Sequence, residues 1–91
     1  MSQEEKILVV KIGERLKKLR IEKGFSNQES FAYVSDIPRA QYGRYEKGTN
    51  LTIVSLFKIL KAHHLTFSEF FAEGFGEVEE MMRSRAGDNF V

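Results

Sequence analysis

A chain of 91 residues holds one domain, and at this size only about 60–65% of the unfolded surface is buried. Cysteine is absent, which excludes disulfides and thiolate metal sites, and the longest apolar run near the start, Ile7-Leu8-Val9-Val10, is too short for a membrane span or a signal-peptide core, so a cytoplasmic location is expected. The formal net charge of +1 conceals a division: residues 1–65 carry 12 Lys+Arg against 7 Asp+Glu, whereas residues 66–91 carry 2 against 6, a basic body suited to phosphate followed by an acidic tail.

Ser2 and Glu5 have the spacing of a capping box, and Leu8, Ile12, Leu16 and Leu19 form the stripe of an amphipathic helix over about 3–23, closed by Gly24. Lys11, Arg15, Lys17, Lys18 and Lys23 fill its remaining faces, and Gly13 in mid-helix suggests close packing. Asn27 caps a second helix from Gln28 to about Val34. Ser35-Asp36-Ile37 is a turn, and Pro38 suits the first position of a third helix ending at Lys47 before Gly48. Thr52 caps a fourth, whose Ile53, Leu56, Phe57, Ile59 and Leu60 make a wide apolar face. Thr66 and Glu69 form a second capping box, opening a fifth helix with Phe67, Phe70 and Phe71. Gly74 and Gly76 break it, Glu77–Arg85 can make a sixth, and 86–89 reads as a frayed end. No stretch alternates with period two, so the fold is expected to be all-α, with a DNA-binding domain over 1–76 and a tail or short helix over 77–91.

Two short helices joined by a three-residue turn have helix-turn-helix spacing. The crossing needs a small residue on the first helix (Ala32), an apolar one ten residues later (Tyr42), a turn residue tolerant of positive φ (Asp36) and an apolar residue closing the turn (Ile37). With Phe31, Tyr42 and Tyr45 inward, Arg39, Ala40, Gly43 and Arg44 face outward. Arginine donates twice to guanine O6 and N7, Ala40 can touch a thymine methyl, and small residues between the two arginines let the helix enter a major groove.

The segments Asn27-Gln28-Glu29-Ser30-Phe31-Ala32, Arg44-Tyr45-Glu46-Lys47-Gly48 and Ser55-Leu56-Phe57-Lys58-Ile59-Leu60 strongly resemble the Cro and lambda-repressor-like (XRE) helix-turn-helix family, over about residues 12–71. The resemblance implies a five-helix domain with a short C-terminal extension, acting in sequence-specific binding of double-stranded DNA as a transcriptional regulator, expected to be a repressor. It places base contacts at Arg39, Ala40 and Arg44, backbone contacts at Gln28, Gln41, Lys47, Thr49 and Asn50, and a structural ion pair at Arg20 and Glu46. The chain departs from the family at Asp36 (usually Gly), Tyr42 (usually aliphatic) and Pro38 (often a hydroxyl residue), and carries an extra residue around Phe25-Ser26.

His63-His64 lacks a third ligand for a metal, Gly74-x-Gly76 lacks the setting of a nucleotide loop, and no serine or histidine sits in a nucleophile arrangement, so neither cofactor nor enzyme activity is expected. Five of the eight phenylalanines lie after residue 65, and Phe67, Phe70, Phe71, Phe75, Met81 and Met82 are candidates for joining a homodimer on a palindromic operator; Phe90 belongs to the same group. The alternative is an antitoxin or regulator-antagonist that uses this aromatic region to bind a toxin or another regulator.

Overall fold

Four of the helices begin where a side chain supplies the cap. The computed structural model describes the backbone of residues 1–89 and the side chains through residue 84, as six helices: α1 (Gln3–Glu22), α2 (Gln28–Ser35), α3 (Arg39–Lys47), α4 (Ile53–His63), α5 (Phe67–Phe71) and α6 (Gly76–Asn89). Both capping boxes form, and the Asn27 and Thr52 side chains accept from the N–H groups of Ser30 and Ser55. Pro38 sits one position earlier than expected. With ψ 138 it is still extended, its carbonyl accepts the Tyr42 N–H at 2.9 Å, and Arg39 is the first helical residue.

The first four helices end in the same way. Phe25, Ile37, Thr49 and Leu65 each return their N–H to the carbonyl five residues back, at 3.0–3.1 Å, around a left-handed residue. This is the Schellman arrangement, which satisfies carbonyls that a helix end leaves open. At α2 and α4 the left-handed residue is not glycine but Asp36 (φ 61) and His64 (φ 57).

Leu16, Phe31, Tyr42, Ile59 and Phe70, one from each of α1 to α5, are completely buried and form the centre of the core. His63 completes it rather than standing in solvent, its ring stacked on Phe31 at 4.5 Å between centroids. Burial, with Lys23 and Arg15 nearby, lowers its pKa to about 4, and its Nε2 has no partner. Phe75 and Val78 extend the core under α6, which packs on α1. Phe70 and Phe75, two of the residues expected to join a dimer, are therefore inside this chain's own core and offer no surface to a second copy. The backbone of 86–89 continues α6 instead of fraying; no proline interrupts it, and Gly87 costs only about 1 kcal/mol against alanine. Phe90 lies outside the described residues. There is no strand among the described residues, and no helix is long and apolar enough to cross a membrane.

Arg15 does not belong to a solvated face. Its buried guanidinium donates from Nε to the Phe70 carbonyl at 3.1 Å and from Nη2 to that of Glu69 at 3.3 Å, tying α1 to the last turn of α5 where open carbonyls favour a cation. The sequence holds little signal for this, because the partners are backbone atoms 54 and 55 positions away.

Gly13 marks the crossing of α1 and α3. A β-carbon there would stand 2.5 Å from the Glu46 carbonyl oxygen and 2.6 Å from that of Tyr45, both backbone atoms that cannot turn aside. One turn earlier Val10 presses on Gly48, which also needs its positive φ of 100. Alanine at position 13 gains about 1 kcal/mol of helix propensity but forces the two helices apart, an overpacking of about 3 kcal/mol. Gly13→Ala is expected to lose about 2 kcal/mol net in urea denaturation; an unchanged or raised midpoint contradicts the packing described.

Candidate nucleic-acid interface

The helix-turn-helix is built by the crossing of α2 and α3. Ala32 is buried where the helices meet, Ile37 closes the turn from beneath, and the Phe31 and Tyr42 rings pack at 5.3 Å between centroids. Ile37 also completes the Schellman end of α2 through its N–H bond to Ala32, so the turn is held by one hydrogen bond and one apolar contact. The bulky Tyr42 is fully enclosed. Its hydroxyl has no hydrogen-bond partner of good geometry, and burial beside the Glu46 carboxylate pushes its pKa well up, so it remains protonated.

Burying Tyr42 and Tyr45 leaves the other side of α3 open. Arg39, Ala40, Arg44 and Lys47 are all exposed among the described residues. Arg39 approaches Glu29 only loosely, Nε to Oε1 at 3.9 Å with both side chains more than two-thirds exposed, a pairing that salt screens and a phosphate or base can displace. No ion pair involves Arg44 or Lys47 among the described residues. Thr49 and Asn50 follow Gly48 on an exposed loop.

Beneath this face lies a buried ion pair. Arg20 donates from Nε to Glu46 Oε2 at 2.7 Å and from Nη2 to Oε1 at 3.2 Å, the side chains being 5% and 2% exposed, while Nη1 donates to the Phe25 carbonyl at 2.7 Å. Gln28 adds a third donor, its Nε2 lying 2.9 Å from Glu46 Oε1. Burial opposes the charge on Glu46, but the hydrogen bonds from Arg20 and Gln28, the nearby Tyr42 hydroxyl and the attraction of Arg20 outweigh it and hold the carboxyl below its ordinary value; Arg20 is correspondingly raised, chiefly by Glu46.

Two residues expected to touch phosphate are thus also tied inward. Gln28 is half-buried, and its Oε1 lies 3.0 Å from where a β-carbon on Gly43 would stand, so Gly43 is small to admit this side chain as well as to open the outer face. Gln41 is half-buried too. Its amide donates to the Tyr45 hydroxyl, which donates to Ser55 Oγ at 3.2 Å, and the Thr52 hydroxyl meets the same atom at 3.1 Å. Each amide keeps a second N–H for an incoming phosphate. The network from Gln41 to the cap of α4 escapes sequence reasoning; Thr52 is visible as a cap, but nothing in the spacing points Tyr45 at Ser55.

Sequence reasoning sets Ile53 and Phe57 in one wide apolar face with Leu56, Ile59 and Leu60. The first two are exposed, with Val54, whereas Leu56, Ile59 and Leu60 are buried. The signal is there in retrospect, because α4 is apolar around most of its circumference, more than one core needs.

Residues 16–70 match a family model described as helix-turn-helix. The chain is 42% identical over 65 residues to control protein C.MunI of Mycoplasma sp, spanning 70% of this chain and 88% of that protein. Among solved structures it is similar to the restriction-modification controller protein C.AhdI from Aeromonas hydrophila, with a TM-score of 0.66 and 35% identity over 71% of this chain and 98% of that one. It is also similar to the wild-type restriction-modification controller protein C.Esp1396I, with a TM-score of 0.69 and 35% identity over 80% and 95% of the two chains.

Proposed function

Since the chain belongs to the Cro/lambda-repressor-like (XRE) helix-turn-helix family of DNA-binding transcription regulators, we propose that it is a controller of restriction-modification genes that reads a palindromic operator as a homodimer and represses by occluding a promoter. The observation that carries this reading is the open outer edge of α3, where two exposed arginines flank an exposed small residue. On it, Arg39 and Arg44 address base edges and Ala40 a thymine methyl. Lys47, Thr49, Asn50 and the free N–H groups of Gln28 and Gln41 hold the sugar-phosphate backbone, fixing the depth and tilt of α3 without carrying sequence information. The likeness to restriction-modification controller proteins supports the choice of target genes.

The dimer is assigned to the exposed apolar face of α4 and α5. Phe57 and Phe67 border a groove of ≈ 510 Å³ with Leu60 and Leu65, and Ile53 lies one turn before Phe57. A two-fold operator with half-sites one turn of the duplex apart requires such a dimer to hold its two copies of α3 about 34 Å apart. Selection from a random duplex pool with the purified protein is expected to return a palindrome whose half-sites lie one helical turn or a multiple apart. Phe57→Lys should yield a monomer in light scattering that enriches only half-sites, weakly. Absence of any enrichment overturns the DNA reading; a monomeric wild type or an asymmetric consensus overturns the dimer.

A further inference from the structure

A second apolar groove, also ≈ 510 Å³, runs between the N-terminal half of α1 and α6. Its floor is Leu8, Phe71, Met81 and Met82, the last 67% exposed. Its rim is acidic: Glu4 and Glu5 on α1, Glu79 on α6. Every residue that lines it falls outside the matched segment 16–70, and none belongs to α2 or α3. Glu5 accepts the Ser2 N–H in its capping box and Glu79 pairs loosely with Arg83 at 3.6 Å, while Glu4 has no cationic partner among the described residues.

We propose that this groove receives a basic amphipathic helix of a partner protein, apolar side chains down against Leu8, Phe71 and the two methionines, and lysine or arginine flanks against the glutamates. Methionine-lined floors adapt to different apolar knobs, and a helix laid in a groove buries three or four of them on one face. The acidic rim selects the sign of the flanks, because like charges at an interface are rejected and opposite ones speed and orient encounter. The same rim repels the anionic duplex. It also disfavours a second copy, since a two-fold contact through this face would turn the glutamates upon their own counterparts. A regulator built this way holds DNA by the exposed basic edge of α3 and a protein by this acidic rim at the same time, the rim drawing Glu4 and Glu5 from the start of α1 and Glu79 from the acidic segment 66–91.

The full chain is titrated, by isothermal calorimetry, with a synthetic helical peptide carrying leucines at i, i+3, i+4 and i+7 and lysines on both flanks, and with the same peptide bearing glutamates instead. The lysine peptide should bind at least about tenfold more tightly, and more weakly as salt rises. Met82→Lys and, separately, Glu4→Lys should each weaken it by about tenfold, with melting temperature and operator affinity unchanged. The proposal is overturned if both peptides bind alike, if the lysine peptide shows no binding below about 1 mM, or if neither substitution weakens it. Dissociation of the native dimer by Met82→Lys, with the fold intact, would instead give the groove to a second copy and equally overturn it.

Discussion

Glu46→Ala is expected to destabilise the domain by about 3–5 kcal/mol, a large part of the 5–15 kcal/mol typical of a domain, leaving a chain partly unfolded at growth temperature. The cost comes less from lost attraction than from what remains. Arg20, 5% exposed, would keep its charge with only the Phe25 carbonyl as a partner, and the inward N–H of Gln28 would lose its acceptor. Because Glu46 sits at the end of α3 and Arg20 on α1, the loss also loosens the seat of the helix that carries Arg39 and Arg44. Glu46→Gln, which keeps the shape and one acceptor, should cost less. Urea denaturation of the two variants measures the difference; equal and small losses would mean the pair is a bystander.

Acid should act through the same pair and through His63, in two separable windows. Glu46 has a folded pKa below its ordinary 4.5, so the stability it contributes is complete above that value and is lost as pH falls through the folded pKa. His63 works higher. Its pKa falls from 6.5 to about 4 on folding, so between those values the unfolded chain takes up a proton that the folded one refuses, and stability declines as pH drops. Stability from pH 7 to 5 therefore follows His63, and below 4.5 Glu46 joins it.

The elements legible in the sequence are those fixed by local chemistry. Caps at Ser2, Asn27, Thr52 and Thr66, the turn at Asp36 and the inward tyrosines depend on residues within one or two turns of each other, and each stands where the spacing puts it. The Arg20–Glu46 pair is distant in sequence and is legible only through family resemblance; in the structure the two side chains meet through two hydrogen bonds. What escapes is long-range and involves the backbone or shared faces: Arg15 on the carbonyls of α5, the amide of Gln28 over Gly43, the chain from Gln41 to Ser55, and the division of α4 into buried and exposed apolar sides. Counting phenylalanines cannot separate Phe70 and Phe75, which finish the core, from Phe67, which stands open. That distinction needs the position of α6.

The second large effect is in binding. If Arg44 reads a base pair as proposed, Arg44→Ala should cost about 1–3 kcal/mol there, and about 2–6 kcal/mol on a two-fold operator where both copies lose it. Arg44 is exposed and takes part in no ion pair among the described residues, so its removal leaves the folded domain unharmed and the loss belongs to recognition. Lys47 is the control. It is exposed on the same helix one turn on, in the loopward position proposed to meet phosphate, where a lysine acts as a point charge. Lys47→Ala should weaken operator and unrelated duplex alike and lower the slope of log affinity against log salt by about one per subunit. The pair of measurements discriminates: Arg44→Ala must narrow the ratio of operator to unrelated DNA, Lys47→Ala must leave that ratio alone. If Arg44→Ala instead scales both duplexes by one factor, Arg44 grips the backbone, α3 lies at a different tilt, and the reading edge passes to Arg39 and Ala40.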